Sequence, residues 1–278
     1  MERIHSIDDP RVAPYRNLPD RTLRGQSLFI TEGRLVTLRL LDSPYQAESV
    51  FCAERFAQQF RDRLDADVPL YVAEEALLAQ VVGFKFHLGV LAVGRRPEPQ
   101  TLEGLMASLA RSQRLNLVVG PQITKPENLG LVFRSAAALG ADALALGRRS
   151  CDPFGRRCLR VSMGASLQLP FCILDDVPKA LDQLHRRWQF HVAAAVADSN
   201  ATPIHSVHWP PRTALLVGNE YEGLPRDCLQ RCQSRITIPM EPAVDSLNLG
   251  VAAGIFLYEM TRYRRPCRPH LRGQAAGT

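Results

Sequence analysis

Hydrophobic positions change rhythm part-way along the chain. In the first third, short apolar runs alternate with helix-like stretches. Ser49-Val50-Phe51-Cys52, Pro69-Leu70-Tyr71-Val72 and Val90-Leu91-Ala92-Val93 read as strands, with helical segments around 54–60 and 73–80. Leu35, Leu38 and Leu41 recur at helical spacing and predict a helix over 32–41. From residue 115 the alternation becomes regular. Residues 115–119 form an apolar run closed by Gly120-Pro121, then a helical pattern covers 128–139. Further buried strands are predicted at 143–146, 171–174, 192–196, 214–217 and 235–238, and a final apolar helix at 247–258. Strands alternating with helices specify an α/β fold with a mostly parallel sheet.

The pattern divides the chain into a small α/β domain over 1–96, a linker over 97–114, a larger domain over 115–262 and a basic tail over 263–278. The linker is marked by Gly94-Arg95-Arg96-Pro97-Glu98-Pro99, and the tail carries Arg264, Arg265, Arg268 and Arg272. At 278 residues the chain is long enough for two cores.

Composition narrows the picture. The hydrophobic share of 46% and charged share of 22% are those of a globular protein. No apolar run reaches the length of a membrane span, and Met-Glu-Arg-Ile-His-Ser lacks a signal-peptide core, so no membrane association and a cytoplasmic location are expected. Seven cysteines form no C-x-x-C pair and seven histidines have no ligand spacing, so no metal is expected. A G-x-G-x-x-G turn after an early strand is missing, which argues against a dinucleotide fold. The net charge is +6, carried almost wholly by Arg, since Lys85, Lys125 and Lys179 are the only lysines. Arg suits phosphate binding and base stacking, although a GC-rich genome would give the same bias.

Three segments carry the candidate chemistry. The first, Lys125-Pro126-Glu127-Asn128-Leu129-Gly130-Leu131-Val132-Phe133-Arg134, places Asn128 where a helix should begin and cap, with Gly130 permitting close approach. Its plainer reading is a capped helix with a solvent-facing Arg134. The second, Leu215-Leu216-Val217-Gly218-Asn219-Glu220-Tyr221-Glu222-Gly223-Leu224-Pro225, is a buried strand ending at glycine, the place where open α/β sheets hold ligands. Its plainer reading is an ordinary strand-to-helix turn. The third runs Ile238-Pro239-Met240-Glu241-Pro242-Ala243-Val244-Asp245-Ser246-Leu247-Asn248-Leu249-Gly250, where Ser246 or Asp245 can cap a well-packed helix.

Together, in this order and spacing, the segments, the third of them continuing through Ala252-Ala253-Gly254-Ile255, resemble the N-x-G-x-x-x-R, G-N-E-x-E-G and I-P-M…S-L-N…A-A-G-I motifs of the SpoU branch of the SPOUT, or α/β-knot, RNA methyltransferases. The resemblance covers about 115–262. Departures are Glu241-Pro242-Ala243, in place of a glycine-containing turn, and Gly250, where Ser is common. Residues 9–12, 24–33 and 87–92 resemble the family's L30e-like RNA-binding domain.

The resemblance implies a deep trefoil knot, a homodimer with the site near its interface, and S-adenosylmethionine as cofactor. It places Gly218, Asn219, Glu220, Gly223, Ile238, Met240, Leu247 and Asn248 around that cofactor. It assigns the transfer to a ribose 2′-hydroxyl, with Arg134 held by Asn128 and with Glu220, Ser246 and Asn248 orienting the reactants. A guanidinium does not act as a base in a protein, so Arg134 is better read as a phosphate clamp and a stabiliser of oxyanion charge. Arg148, Arg149, Arg156 and Arg157, with Arg16, Arg21 and Arg24 in the first domain, are the candidate RNA-binding residues; solvated surface charge is their plainer reading. Ribosomal RNA is favoured over transfer RNA by analogy with two-domain relatives. The alternatives are a non-enzymatic RNA-binding or ribosome-assembly protein on the same fold, a transfer RNA methyltransferase, and methylation of a base.

Overall fold

The computed structural model describes residues 1–16, 18, 27–241, 243 and 246–262. Two sheets follow one another along the chain. The first holds β1 (Glu2–Arg3), β2 (Leu28–Glu32), β3 (Ala47–Ala53), β4 (Leu70–Ala73) and β5 (Val90–Arg95), with helices α1 (Arg34–Leu41), α2 (Ala57–Arg61) and α3 (Glu75–Val82) between them. Its strand order is β1-β4-β3-β5-β2. β5 pairs antiparallel with both β2 and β3, whereas β4 pairs parallel with β1 and β3. β2, absent from the predicted strands, is LFITE: a run buried at four of five positions that lacks the alternation of a half-exposed strand.

The predicted helix begins after β2, as α1, and buries a different face. Val36, Thr37 and Leu40 point inward, while Leu35 is 43% exposed. Both faces satisfy helical spacing. The choice falls to the sheet, where Thr31 and Thr37 hydroxyls meet at 2.9 Å.

The second sheet comprises β6 to β12. After α4 (Leu102–Ser108) come β6 (Leu115–Gly120), α5 (Pro126–Leu139), β7 (Ala143–Gly147), α6 (Arg156–Val161), β8 (Phe171–Leu174), α7 (Val177–Trp188), β9 (His191–Ala195), β10 (Thr202–Pro203), β11 (Arg212–Leu216), α8 (Arg226–Leu229), β12 (Ser234–Thr237) and α9 (Leu249–Thr261). All pairings in the order β10-β12-β9-β11-β6-β7-β8 are parallel. Strands such as Leu115–Gly120 and Ala143–Gly147 are buried at every position, because helices cover both faces of the sheet.

The segment expected as a linker contains α4. Leu102, Leu105 and Met106 pack into the same core as Leu117, Val192 and Leu216, so this stretch is part of the second sheet's cover. Thr101 caps it by accepting from the Gly104 amide at 3.1 Å, a start signal masked by the neighbouring prolines.

On the opposite face α9 packs closely on α5. A Cβ placed on Gly250 would lie 2.4 Å from the Leu131 Cβ, so this departure from the family pattern serves helix packing. Gly130 is likewise pressed by α6, where a Cβ would lie 2.8 Å from that of Val161.

The two sheets meet along a polar and aromatic seam. Glu32, 2% exposed in its side chain, receives Arg156 and, at 3.4 Å, Arg160. Arg96 donates to both oxygens of Asp152 at 3.0 and 2.6 Å. Phe154 lies 4.9 Å from Phe29 and 5.3 Å from Tyr45, ring centroid to centroid.

Candidate functional site

The carboxyl ends of β9, β11 and β12 open into a cavity of 510 Å3, the position that parallel-sheet geometry favours for ligands. Ala195–Ala197, Val217–Tyr221, Ile238 and Met240 contribute one side, and Ser246–Leu249 with Ala252, Ala253 and Phe256 the other. All eight residues predicted to surround a cofactor line it: Gly218, Asn219, Glu220, Gly223, Ile238, Met240, Leu247 and Asn248.

Helix caps decide how its polar groups face. The carbonyl oxygen of the Asn248 side chain accepts from the amides of Gly250 at 2.9 Å and Val251 at 3.4 Å, capping α9. Ser246 and Asp245 were the expected caps. Ser246 is exposed at the cavity edge, and Asp245 lies outside the described residues. With its oxygen committed, Asn248 turns its NH2 to the Asn128 oxygen at 2.9 Å. Asn128 in turn donates to Glu220 at 2.8 Å, and the Thr124 hydroxyl donates to the other carboxylate oxygen at 3.3 Å. The relay thus holds the Glu220 carboxylate toward the cavity, with three motif segments joined through one buried amide.

Asn128 does not cap α5 as expected. Pro126 takes the first helical position and Lys125 the cap, which puts Asn128 in the first turn with its side chain free for the relay. Nor does Asn128 hold Arg134. Six residues along a helix amount to about 9 Å of rise and about 240° of rotation, so the two side chains leave α5 on different faces. Arg134 is exposed and is not among the cavity-lining residues.

The second motif forms a closed turn. Asn219 N donates to the Gly223 oxygen at 2.7 Å, and Gly223 N returns to the Asn219 oxygen at 3.1 Å. Gly223 has φ +69°, and a Cβ on Gly218 would lie 2.6 Å from the Gly223 carbonyl carbon, so both glycines are steric requirements. The Asn219 side chain accepts from Tyr221 N at 2.9 Å and donates to the Gln122 oxygen at 3.4 Å, which ties the turn to the loop after β6.

A profile of the SpoU rRNA Methylase family matches residues 116–258. The chain belongs to this family. An uncharacterized tRNA/rRNA methyltransferase of Mycobacterium bovis is 36% identical over 274 residues, covering 94% of this chain and 92% of the relative. The 23S rRNA (guanosine-2′-O-)-methyltransferase RlmB of Acinetobacter baylyi is 30% identical over 188 residues, 67% of this chain and 75% of that protein. The crystal structure of an RNA 2′-O ribose methyltransferase superposes with TM-score 0.76 at 29% identity, over 94% of this chain and 99% of the other. The AdoMet-bound rRNA methyltransferase of Sinorhizobium meliloti shares the fold, with TM-score 0.78 at 22% identity over 95% of this chain and 98% of the other.

Within this SpoU family chain the candidate RNA-binding arginines separate. Arg156, only partly exposed, is engaged by Glu32 and the Leu18 oxygen, so it holds the seam and is not a free cation of the expected kind. Arg16 is half-buried and donates to the Asp9 oxygen at 2.7 Å. Arg148, Arg149 and Arg157 are exposed; Arg148 pairs with Asp175, and Arg157 with Glu127 at 2.7 Å. Such exposed pairs hold little energy and leave these side chains available to a polyanion. Arg21 and Arg24 lie outside the described residues. Among the described residues no cluster of His, Cys, Asp and Glu could hold a metal ion, and no helix is long and apolar enough to cross a membrane.

Sequence reasoning read Ala252 and Ala253 only as small packing positions of the third motif, and it passed over Thr124, Ala195, Val196, Ala197 and Phe256. Ala195, which ends β9, and Val196 and Ala197, which follow it, were discoverable, because they stand at a strand's carboxyl end. Thr124 and Phe256 carried no motif.

Proposed function

We propose that this chain methylates a ribose 2′-hydroxyl in ribosomal RNA, with S-adenosylmethionine as methyl donor. The observation that carries this reading is the Asn248–Asn128–Glu220 relay at the mouth of the cavity, which unites residues of the three family motifs. The cavity fits the cofactor in volume and lining. Val217, Ile238, Leu247 and Phe256 offer apolar walls to an adenine, main chain at Gly218, Ile238 and Leu247 offers hydrogen bonds, and the Glu220 carboxylate offers negative charge to a cationic centre. Bound there, the cofactor supplies an electrophilic methyl carbon. The chain's own work is to position the ribose and to lower the cost of charge on its oxygen. Arg134, permanently cationic, is the group for that charge and for the adjoining phosphate.

Arg134 leaves α5 beside an exposed groove lined by Leu131, Ser135, Val251, Gly254, Ile255 and Tyr258. Val251 is 50% and Tyr258 58% exposed on a helix whose only charged residue is Glu259, and an apolar helix of this kind is normally covered. A second copy of the chain seated on this groove brings Arg134 to the subunit boundary, consistent with a homodimer. Placement of β12 between β9 and the short β10, followed by return of the chain to α9 on α5, supports a knotted path. The five-stranded N-terminal unit is read as the RNA-docking domain, and a cytoplasmic location fits the same reading.

The test supplies methyl-labelled S-adenosylmethionine with unmodified ribosomal RNA or transfer RNA in separate reactions and separates the digested nucleosides. Label in a 2′-O-methylnucleoside from ribosomal RNA is expected. Label on a base, or from transfer RNA alone, overturns the substrate assignment. No label together with no cofactor binding by calorimetry favours the non-enzymatic alternative.

A further inference from the structure

Tyr221 is the most exposed large hydrophobic residue among those described, at 77%, yet it stands on the lining of the cofactor cavity. It occupies the open position of the family's G-N-E-x-E-G motif, so the motif itself does not demand an aromatic there. The turn that carries it is closed without the ring: Asn219 and Gly223 exchange both backbone hydrogen bonds, and the Asn219 side chain accepts from the Tyr221 and Glu222 amides. Removing the ring therefore removes no hydrogen bond that shapes the turn. What the turn does is hold an aromatic ring at its tip, at the mouth of the cavity.

One face of that ring is taken by a cation. Lys125 Nζ lies 4.6 Å from the ring centroid. Its pKa is raised, first through a hydrogen bond with Tyr221 and then through the charges of neighbouring acids including Glu220, so the ammonium is retained. Lys125 is one of only three lysines in the chain, and it precedes the helix that carries Asn128. The rest of the ring is open to solvent. A flat aromatic surface carried on a closed turn beside a positive charge is an arrangement with which proteins receive unstacked bases of RNA and their phosphates.

We infer that Tyr221 is a stacking platform for an unpaired base of the substrate RNA at the entrance to the reaction cavity, with Lys125 holding an adjacent phosphate. This rests on the methyl-transfer reading above and adds to it how the target nucleotide is kept out of a helix: the base is splayed onto Tyr221 while its ribose enters toward Glu220. The substrate class is therefore a single-stranded or loop nucleotide. A ribose within a continuous duplex would keep its base stacked on its neighbours.

The experiment compares Tyr221→Ala, Tyr221→Phe and Tyr221→Trp in the full chain with an unmodified large-subunit ribosomal RNA transcript. KM for RNA, kcat and the cofactor Kd are read separately. Stacking on one aromatic ring predicts that Tyr221→Ala raises KM for RNA by about 5- to 100-fold, while Tyr221→Phe and Tyr221→Trp stay within about 3-fold of the native chain. The cofactor Kd is expected to be the same in all four proteins. A raised cofactor Kd in Tyr221→Ala would make the ring a cofactor cover and overturn the inference. An unchanged KM for RNA overturns it, and so does a loss in Tyr221→Phe equal to that in Tyr221→Ala, which would assign the effect to the hydroxyl. If the native chain transfers no methyl group, the function reading fails by itself. The platform is then judged by whether the fluorescence of Tyr221→Trp, relative to the native chain, is quenched by the same RNA.

Discussion

The cavity relay and the seam between the sheets are built from similar polar side chains but by opposite rules. At the cavity, a neutral amide pair from α5 and the α9 cap presents one carboxylate, Glu220, to an open space. At the seam, the carboxylate of Glu32 is almost fully covered, and two guanidiniums from α6 neutralise it where it stands. The first arrangement leaves charge available for a ligand; the second consumes charge to fix two sheets against each other. Arg148, Arg149, Arg156 and Arg157 sit within ten residues of one another, yet only Arg156 belongs to the seam. Cationic residues clustered in a sequence can thus belong to different jobs, and the partner decides which.

The contrast can be broken at either end. For the proposed transfer step, which needs Arg134 brought in from outside the cavity, Arg134→Ala is expected to lower kcat by about 100-fold or more, the scale of losing an oxyanion-stabilising group, with the cofactor Kd and the urea midpoint unchanged. Loss of cofactor binding in single-turnover and calorimetric measurements would move Arg134 out of the transfer step. At the seam, Arg156→Ala leaves Glu32 with the longer contact from Arg160 alone. Breaking a buried pair costs about 3–5 kcal/mol, and because Arg156 keeps partial exposure we expect about 2 kcal/mol, read as a lower urea midpoint with cofactor affinity unchanged.

Asn248→Ala sharpens the comparison because it combines both effects. Loss of the α9 cap is expected to cost about 1 kcal/mol of stability, and loss of the donor to Asn128 releases the amide that holds Glu220, so cofactor affinity falls as well. Stability loss with unchanged affinity would reduce Asn248 to a cap. The smallest effect is expected at a third kind of polar contact, one made between near neighbours in sequence. The Arg11 side chain, aided by its own backbone amide, lowers the Asp9 carboxyl from its usual 3.8 to about 2. A depressed carboxylate contributes stability that is complete above the unfolded value and lost as pH falls toward 2. In an NMR titration Arg11→Ala should return Asp9 toward 3.8; an unmoved value would deny the pairing.

How much of this was legible follows from the range of each interaction. The cavity residues were found because each motif is a contiguous stretch whose glycines and asparagines have local duties: Gly223 at positive φ, Gly218 against the turn, Asn219 folding its own loop. The cap at Asn248 was missed by two residues because Ser246 and Asp245 are equally good capping types, and only the path of the chain into α9 selects among them. α4 was hidden in a proline-flanked segment. The burial of Leu102, Leu105 and Met106 depends on a core that forms around strands far along the chain. Arg156 could not be separated from Arg157, since Glu32 lies 124 residues away and no local pattern connects them.

By itself the sequence determined the alternation of strands and helices in the larger domain, the parallel sheet, the three motifs and the motif residues that line the cavity. These rest on periodicity and on short-range backbone requirements, which act within a few residues. Tertiary structure decided which face of α1 is buried, that Asn128 reaches Glu220 and Asn248 while Arg134 turns away, and that Arg156 joins two sheets. Those outcomes depend on which distant groups arrive within hydrogen-bonding distance once the cores have packed, and that information is carried by no single stretch of the chain.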